Sequence, residues 1–214
     1  MFKGKVILFS LLLVFATSIY AGDVDPCQSE FGASCALRVS ICPAGDFEFI
    51  YDGCGTGNDF LWLNARDLSG NGIEGIPWTD YWIQACDPAQ DLCLCSAPFA
   101  ADALTDALGY TEISGRIAGG GCILTDGIYL AIQGKTLVDF PGCITQTCVD
   151  IIIVSPDLNA DCYVNLSDLG IFGLSYNTAT GDPGYDDCCD FNDDTNCNLS
   201  DFAFIGEHYQ HECF

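Results

Sequence analysis

Two twelve-residue segments near the C-terminal end of the chain carry the same pattern of oxygen-bearing side chains. The first is DLNADCYVNLSD, residues 157–168, and the second is DFNDDTNCNLSD, residues 190–201. Carboxylate or amide side chains stand at positions 1, 3, 5, 9 and 12 of both segments. Apolar residues at helical spacing follow in both copies, namely Leu166, Leu169, Phe172 and Tyr176, and Leu199, Phe202, Ile205 and Tyr209. A loop and the helix after it are therefore predicted twice, as a pair of equivalent units.

The duplicated pattern has the chemistry of a calcium site. Ca²⁺ takes about six to eight oxygen ligands, and a twelve-residue loop supplies them from positions 1, 3, 5, 7, 9 and 12. We therefore predict that the chain binds two Ca²⁺ ions. The predicted ligands of loop one are Asp157, Asn159, Asp161, the Tyr163 carbonyl, Asn165 and Asp168. Those of loop two are Asp190, Asn192, Asp194, the Asn196 carbonyl, Asn198 and Asp201.

The ends of the loops carry helix-start signals. Asn165 and Asn198 are suited to cap the two predicted helices, with Asp168 and Asp201 three residues later as partners in a capping box. Position 8 is Val164 in loop one and is expected to meet its counterpart in loop two in a short strand contact.

Position 6 of both loops departs from the usual glycine. It is Cys162 in loop one and Thr195 in loop two. A side chain held in a left-handed conformation costs roughly 1–2 kcal/mol, so we expect weaker calcium affinity, mainly in loop two. A disulfide from Cys162 to Cys188, Cys189 or Cys213 would hold the first turn in place.

A calcium loop with an exiting helix and no entering helix, duplicated at the C-terminus, resembles the dockerin module. The pattern D-x-N-x-D-x-x-[V]-N-x-x-D is met by loop one, and by loop two with Cys197 replacing the aliphatic residue. The resemblance implies two calcium ions and docking onto a cohesin domain through the exiting helices. The family's recognition positions fall on Leu166, Ser167, Leu199 and Ser200. Dockerin-like repeats also occur outside cohesin systems, and we favour structural or surface-retention use of the calcium over cohesin docking.

The region before the loops is predicted to be β-structure. From about residue 36 to 155, short aromatic and aliphatic runs alternate with turns, and seven or so such strands suggest an antiparallel sandwich. DLSGNGIEGIP and RIAGGGC are interpreted as loops. LNARDLSGNGIEGI and LTDALGYTEIS resemble bacterial immunoglobulin-like repeats of extracellular adhesins. The predicted fold is thus mainly β: a signal peptide (1–21), an immunoglobulin-like β-sandwich (22–155) and a small helical, EF-hand-like calcium module (156–214).

The signal peptide and the cysteine content indicate an exported protein, and the resemblance to bacterial immunoglobulin-like repeats implies a bacterial, extracellular one. Residues 1–21 have the basic start, apolar run and small terminal residue of a signal peptide, which predicts no membrane insertion after cleavage. Without Lys3 and Lys5 the chain keeps 4 of 6 basic and all 30 acidic residues, a net charge near −26 (4 − 30). Such a charge disfavours nucleic acid and anionic lipid as partners. The 15 cysteines favour disulfides over zinc, and their odd number leaves at least one outside any pair within the chain.

No catalytic grouping is evident before the loops, and both histidines of the chain lie in its tail. Asp59, Asp67, Asp80 and Asp106 are interpreted as turn and surface acids. In the tail, His208 with Glu207 is one possible transition-metal chelate, set against plain exposure on a helix.

We therefore predict a non-catalytic, secreted or cell-surface protein. Its calcium module would serve stabilisation, surface tethering, or docking to a cohesin-like protein or cell-surface component. The alternative is a carbohydrate-binding or carbohydrate-active component carried to a cohesin-bearing assembly. In that case Trp62, Trp78 or Trp82 would lie exposed as a platform for polysaccharide.

Overall fold

The structure is a computed structural model that describes residues 22–35, 37–45, 48–51, 60–87, 89–90, 92–99, 101–114, 117–138, 143 and 148–213. The predicted signal peptide and Asp59 lie outside these ranges. Over the described part the fold is mainly β, with two short α-helices near the C-terminus, so the mainly-β prediction is confirmed. None of the described helices is long and apolar enough to cross a membrane.

The strands are short and are distributed along most of the described chain. They are β1 (Glu30–Ala33), β2 (Leu37–Ser40), β3 (Glu48–Tyr51), β4 (Leu61–Asn64), β5 (Tyr81–Ala85), β6 (Leu92–Phe99), β7 (Tyr110–Ile113), β8 (Ile117–Gly121), β9 (Ile128–Ile132), β10 (Lys135–Thr136), β11 (Ile151–Val154), β12 (Thr178–Ala179) and β13 (Asn196–Cys197). The helices are α1 (Leu166–Ser175) and α2 (Leu199–Glu207), and two 3₁₀ turns cover Trp78–Asp80 and Asp187–Cys189.

Antiparallel pairing joins most of these strands into small sheets. Three-stranded sheets have the orders β1-β4-β7, β10-β9-β5 and β11-β2-β3, and β6 pairs with β8. β11 departs from this pattern, because it runs parallel to β2, with Ile153 opposite Val39. A parallel pair needs a long crossover, so the last strand before the predicted calcium loops is placed beside one of the first.

Two hydrophobic clusters of described residues stabilise the fold. The first cluster lies among the sheets. It is filled by every second residue along a strand, such as Leu61 and Leu63 of β4 and Ile83 of β5, because successive side chains of a strand point to opposite faces. The second cluster lies under the two helices. It consists of Cys42, Val154, Val164, Phe172, Cys189, Phe191, Cys197 and Ile205. Because Cys42 and Val154 precede residue 156, this cluster draws on both predicted domains.

The two motifs that carry the immunoglobulin-like resemblance form adjoining turns. Asp67 accepts hydrogen bonds from the amides of Ser69 and Asn71, both at 2.8 Å. Asp106 caps its own turn by accepting from the Tyr110 amide at 2.9 Å. Asp67 and Asp106 are therefore turn acids, as predicted.

The stretch Gly119–Gly121 is not the loop that its sequence suggested. It belongs to β8, and the whole strand is buried. A Cβ on Gly119 would lie 2.5 Å from the Cys93 carbonyl oxygen, and one on Gly120 would lie 1.8 Å from Asp157 Oδ2. These glycines thus permit close packing in a strand, not a change of chain direction.

Disulfides join the helical end of the chain to the β-strands. Among the described cysteines, three pairs connect the two parts, and they are Cys93–Cys162, Cys95–Cys213 and Cys122–Cys188. Within the β part, Cys27 pairs with Cys143 and Cys86 with Cys148. The prediction that Cys162 pairs with Cys188, Cys189 or Cys213 was wrong. Its partner comes from β6, because loop one packs against the β6–β8 pair.

Candidate calcium-binding site

Loop one is folded around the carboxylate at its first position. Asp157 Oδ1 accepts a hydrogen bond from the Asp161 amide at 3.2 Å, and Asp157 Oδ2 accepts from the Cys162 amide at 2.9 Å. Asn159 Oδ1 also accepts from the Asp161 amide, at 3.1 Å, and Asp161 Oδ1 accepts from the Tyr163 amide at 3.0 Å. Positions 1, 3 and 5 are thus drawn together on one side of the loop.

The last carboxylate of loop one closes the loop onto its start. Asp168 Oδ1 accepts from the Leu158 amide at 2.8 Å, and Asp168 Oδ2 accepts from the Asn165 amide at the same distance. The Asn165 side chain donates to the Tyr163 carbonyl at 2.9 Å. All six predicted ligand residues of loop one therefore belong to one hydrogen-bonded loop.

Loop two repeats these bonds at the equivalent positions. Asp190 accepts from the Asp194 amide at 3.1 Å and from the Thr195 amide at 2.8 Å. Asp201 accepts from the Phe191 and Asn198 amides, both at 2.9 Å. The remaining predicted ligand residues take part as well, since Asn192 accepts from the Asp194 amide and Asp194 accepts from the Asn196 amide. The duplication seen in sequence is therefore also a duplication of local structure.

Four carboxylates of the loops are buried, although no described Lys or Arg side chain contacts the oxygens of these carboxylate groups. Asp157, Asp168 and Asp201 are 0% exposed and Asp190 is 1% exposed. Burial raises the pKa of Asp157 to about 6, and the neighbouring Asp168 charge adds to the shift. Burial also raises the pKa of Asp168 and of Asp201. Clustered, desolvated carboxylates of this kind fit a hard divalent cation, which would offset both the burial and the mutual repulsion.

The predicted turn and cap geometry is confirmed. Cys162 and Thr195 at position 6 have φ of 67° and 69°, in the left-handed region that favours glycine. Asn165 and Asn198 each accept a hydrogen bond from the amide two residues on, and both helices begin with a full capping box. The position-12 aspartates thus fix the start of the exiting helix, apart from their predicted role as calcium ligands.

The two loops do not pair with each other as expected, but each forms a short backbone pairing with another segment of the module. In loop two, β13 pairs with β12, which follows α1, and the Asn177 amide donates to the Cys197 carbonyl at 2.7 Å. In loop one, Val164 exchanges backbone bonds, both of 2.9 Å, with Gln210 and His211, which follow α2. Each loop therefore pairs with the segment after the other helix, because that segment turns back across the module. The side chains of Val164 and Cys197 still meet in the second cluster.

Two residues that support the loops were not identified from sequence. Gly120 of β8 leaves the space that the Asp157 carboxylate occupies. Arg38 of β2, 4% exposed, donates to the Asp190 carbonyl at 2.6 Å and to the Asp187 carbonyl at 3.1 Å, and it pairs with the Asp187 carboxylate at 3.4 Å. Nothing in the local sequence marks either residue, since each acts on a loop far along the chain.

The predicted partner-binding positions lie at the surface. Leu166 is 71% exposed and Leu199 is 67% exposed, and Ser167 and Ser200 beside them are also exposed. The other stripe residues differ in burial. Phe172 and Ile205 are buried in the second cluster, whereas Tyr176 and Phe202 are exposed. Each helix therefore packs through its middle and leaves an apolar residue at its start uncovered.

Two of the three tryptophans line a cleft on the β part. Trp78 is 37% exposed and Trp82 is 42% exposed, while Trp62 is only partly exposed. The cleft has a volume of about 640 Å³ and also includes Gln84 and Tyr129. Trp82 and Gln84 occupy the outward-facing positions of β5.

Comparisons with known proteins give little beyond these observations. No protein-family model matches the chain, and no curated protein matches it either. Two similar chains come from crystal structures of type II cohesin–X-dockerin complexes of Acetivibrio cellulolyticus, one a C-terminal and the other an N-terminal interface mutant. They are 15% and 13% identical, with TM-scores of 0.29 and 0.30. The matches cover 83% and 85% of this chain and 97% and 96% of theirs. Scores this low do not establish a shared fold, so the function proposed for this chain depends on its own residues.

Proposed function

We propose that this is an exported, non-catalytic protein in which an immunoglobulin-like β-domain is completed by a dockerin-like module with two Ca²⁺ ions. The observation that carries the proposal is the pair of equivalent loops with buried aspartates at positions 1 and 12. The predicted ligands are those given from the sequence, six in each loop. Four buried carboxylates without a cation would repel one another, so calcium is expected to stabilise the module.

The attachment of the module supports a structural use of this calcium. Three disulfides and the Arg38 contacts join the C-terminal module to the β part, and the second cluster is shared between the two parts. A module held in this way cannot swing independently as a tethered domain. We therefore place stabilisation first among its uses and surface tethering or docking second.

Docking remains compatible with this arrangement, since the helix starts are uncovered. Leu166 and Leu199 present apolar side chains beside Ser167 and Ser200. A cohesin-like protein is the partner that the dockerin resemblance implies, and another cell-surface component is the alternative. Such a partner would have to approach α1 and α2 from the side opposite the second cluster.

The test of the proposal is a calorimetric Ca²⁺ titration of the oxidised mature chain after chelation. We expect two saturable sites. Asp157→Asn should abolish the first and Asp190→Asn the second, because each removes the position-1 charge with little change of shape. Far-ultraviolet circular dichroism should show calcium-dependent helix in the wild type and a reduced response in the double variant.

A matched control removes two charges elsewhere. Glu74→Gln with Asp126→Asn changes two exposed acids outside the loops and should leave both sites intact. Absence of heat and of any spectral change on chelation would disprove the calcium proposal and would mean that the disulfides, hydrogen bonds and packing of the module hold the loops without a metal ion.

A second candidate function is polysaccharide binding at the tryptophan cleft. Exposed Trp78 and Trp82, with Tyr129 and Gln84 nearby, combine aromatic faces with a hydrogen-bonding group, which suits a sugar ring. Affinity electrophoresis in soluble plant and bacterial polysaccharides tests this. Retardation that is lost in Trp82→Ala and kept in Leu108→Ala, an exposed apolar residue outside the cleft, would support it, and equal mobility in every gel would exclude it for those polymers.

A further inference from the structure

Both histidines of the chain lie beside a buried cysteine where the C-terminal turn meets the β-strands. His211 Nδ1 is 3.2 Å from Cys42 Sγ and 3.3 Å from His208 Nδ1. All three residues have donor atoms within 4.8 Å of one another. We propose that Cys42, His208 and His211 form a site for one Zn²⁺ ion, separate from the calcium loops and independent of whether those loops bind calcium.

Two of the three donor separations are close to those of a tetrahedral zinc site, and the third is within 4.8 Å. With Zn–S near 2.3 Å and Zn–N near 2.05 Å, tetrahedral angles place two nitrogens about 3.3 Å apart and a sulfur and a nitrogen about 3.6 Å apart. The observed separations of 3.3 Å and 3.2 Å are close to these values. A small adjustment of side-chain torsions would therefore admit the ion, with a fourth position left for water.

The cysteine is held in position by strand contacts. Cys42 is fully buried, and its carbonyl accepts hydrogen bonds from the Gly119 amide at 3.1 Å and from the Gly45 amide at 2.8 Å. It also forms a parallel bridge with Ala118 of β8. The sulfur is therefore presented from a backbone that does not have to reorganise on metal binding.

The histidines are held just as closely. The Gln210 backbone, with φ of 68°, reverses the chain after α2 and returns His211 toward His208. Backbone bonds to Val164 fix this turn, and the disulfide of Cys213 with Cys95 anchors the chain on its C-terminal side. The His208 ring packs on Phe204 with a centroid distance of 4.5 Å, which orients it. Two imidazoles and a thiol are thus preorganised by elements from separate parts of the chain.

The donor set selects against calcium. Sulfur and imidazole nitrogen suit borderline-soft ions such as Zn²⁺, whereas Ca²⁺ takes oxygen ligands. One interpretation of the sequence paired His208 with Glu207 as a metal chelate. In the structure Glu207 lies exposed, whereas His208 turns toward His211, so the proposed ligands are Cys42 and the two histidines. The signal in the sequence was incomplete, since Cys42 lies 169 residues from His211.

The experiment uses the full mature chain with native disulfides, saturated with Ca²⁺ so that the loops cannot take up the added metal. Co²⁺ is titrated first, because thiolate ligation gives a sulfur-to-cobalt charge-transfer band, and Zn²⁺ is then used to displace it. We expect one equivalent of Co²⁺, the thiolate band, and full displacement by Zn²⁺.

Variants then assign the ligands. Loss of a side chain that only hydrogen-bonds to a metal ligand typically costs 10–100-fold in metal affinity, so removal of a direct ligand should cost about 100-fold or more. Cys42→Ala should lose the thiolate band, and His211→Gln should weaken Zn²⁺ binding while retaining the thiol. Cys189→Ser, which changes another buried cysteine, and Glu212→Gln, which changes an exposed neighbour, should bind Zn²⁺ as the wild type does.

Three results would overturn the proposal. They are the absence of a saturable Co²⁺ or Zn²⁺ site in the wild type, a thiolate band that survives Cys42→Ala, and mass-spectrometric detection of Cys42 in a disulfide. If Cys42→Ala does not fold, as judged by circular dichroism, His211→Gln and the mass measurement decide. Loss of calcium binding in the earlier titration would not affect these outcomes, so the two proposals fail separately.

Discussion

Single residues at the contact between β8 and loop one determine whether the first of the predicted calcium ligands can be placed. The Asp157 carboxylate lies where a side chain at position 120 would be, and the Gly121 amide donates to the Asp157 carbonyl at 2.7 Å. Strand β8 therefore forms one wall of the predicted site. Loop one can adopt its conformation only because residue 120 of this strand is a glycine.

Gly120→Ala should weaken the first calcium site and spare the second. The added methyl group would force Asp157 aside, and overpacking of this kind costs about 1–3 kcal/mol. Calorimetry would show one unchanged and one weakened site. Gly173→Ala is the matched control, because no atom lies within 4 Å of its Cβ position on α1, and it should leave calcium binding unchanged and slightly stabilise the helix. Equal weakening of both sites would contradict the assignment of Gly120 to loop one.

The pKa of Asp157 predicts a pH effect in the calcium-free protein. Its folded value of about 6 exceeds the ordinary value of 3.8, so the folded state binds the proton more tightly. Its contribution to stability should therefore decrease as pH rises from about 4 to about 6. Thermal melts in chelator across this range would show the decrease in the wild type and a smaller one in Asp157→Asn. A difference between the two proteins that does not change with pH would contradict the shift.

At the level of elements, β2 supports loop two much as β8 supports loop one. Arg38 emerges from β2 and binds main-chain carbonyls at the entrance of loop two, 149 residues or more away in sequence. Hydrogen bonds to a charged group typically contribute about 1.5–3 kcal/mol, so this one side chain is a substantial part of the junction.

Arg38→Met should lower the free energy of unfolding by about 2–3 kcal/mol and weaken the second calcium site more than the first, because the carbonyls of Asp187 and Asp190 would lose their donor. Chemical denaturation and calcium calorimetry would measure both effects. Arg66→Met, a matched change in a turn of the β part, should leave both calcium sites unaffected. A variant with the same two affinities as the wild type would show that Arg38 does not position loop two.

Prediction from sequence succeeded where the determining contacts are local. The capping boxes of α1 and α2 depend on residues three apart, and the left-handed turns at Cys162 and Thr195 depend on loop geometry alone, so both followed from the pattern. The glycines of β8 were misplaced because their cause lies in Asp157, on another element. The partner of Cys162 is 69 residues away, and no local rule selects Cys93 among the cysteines.

On the scale of the whole molecule, the β-strands and the predicted calcium module depend on each other. Val154 and Cys42 are fully buried in the second cluster, which the helices cover. The domain boundary between residues 155 and 156 remains a prediction from the sequence. The second cluster contains residues from both sides of that boundary.

A chain ending at residue 155 should therefore be unstable. It would leave Cys93, Cys95 and Cys122 without their partners and expose the apolar surface under the helices. We expect these three thiols to react in the truncated chain and not in the intact one, together with loss of a cooperative thermal transition. A truncated chain that stayed monomeric and melted as the intact protein does would contradict this interdependence.

The disulfide connections also determine when each cysteine of the nascent chain can meet its partner. Cys95 must wait for Cys213, 118 residues later, and at about 5–20 residues per second that delay is roughly 6 to 24 seconds of synthesis. During this interval earlier thiols such as Cys93 and Cys95 are available to the wrong partners. The yield of correctly folded protein should therefore depend on an isomerase that reshuffles early mispaired bonds once the C-terminal cysteines arrive.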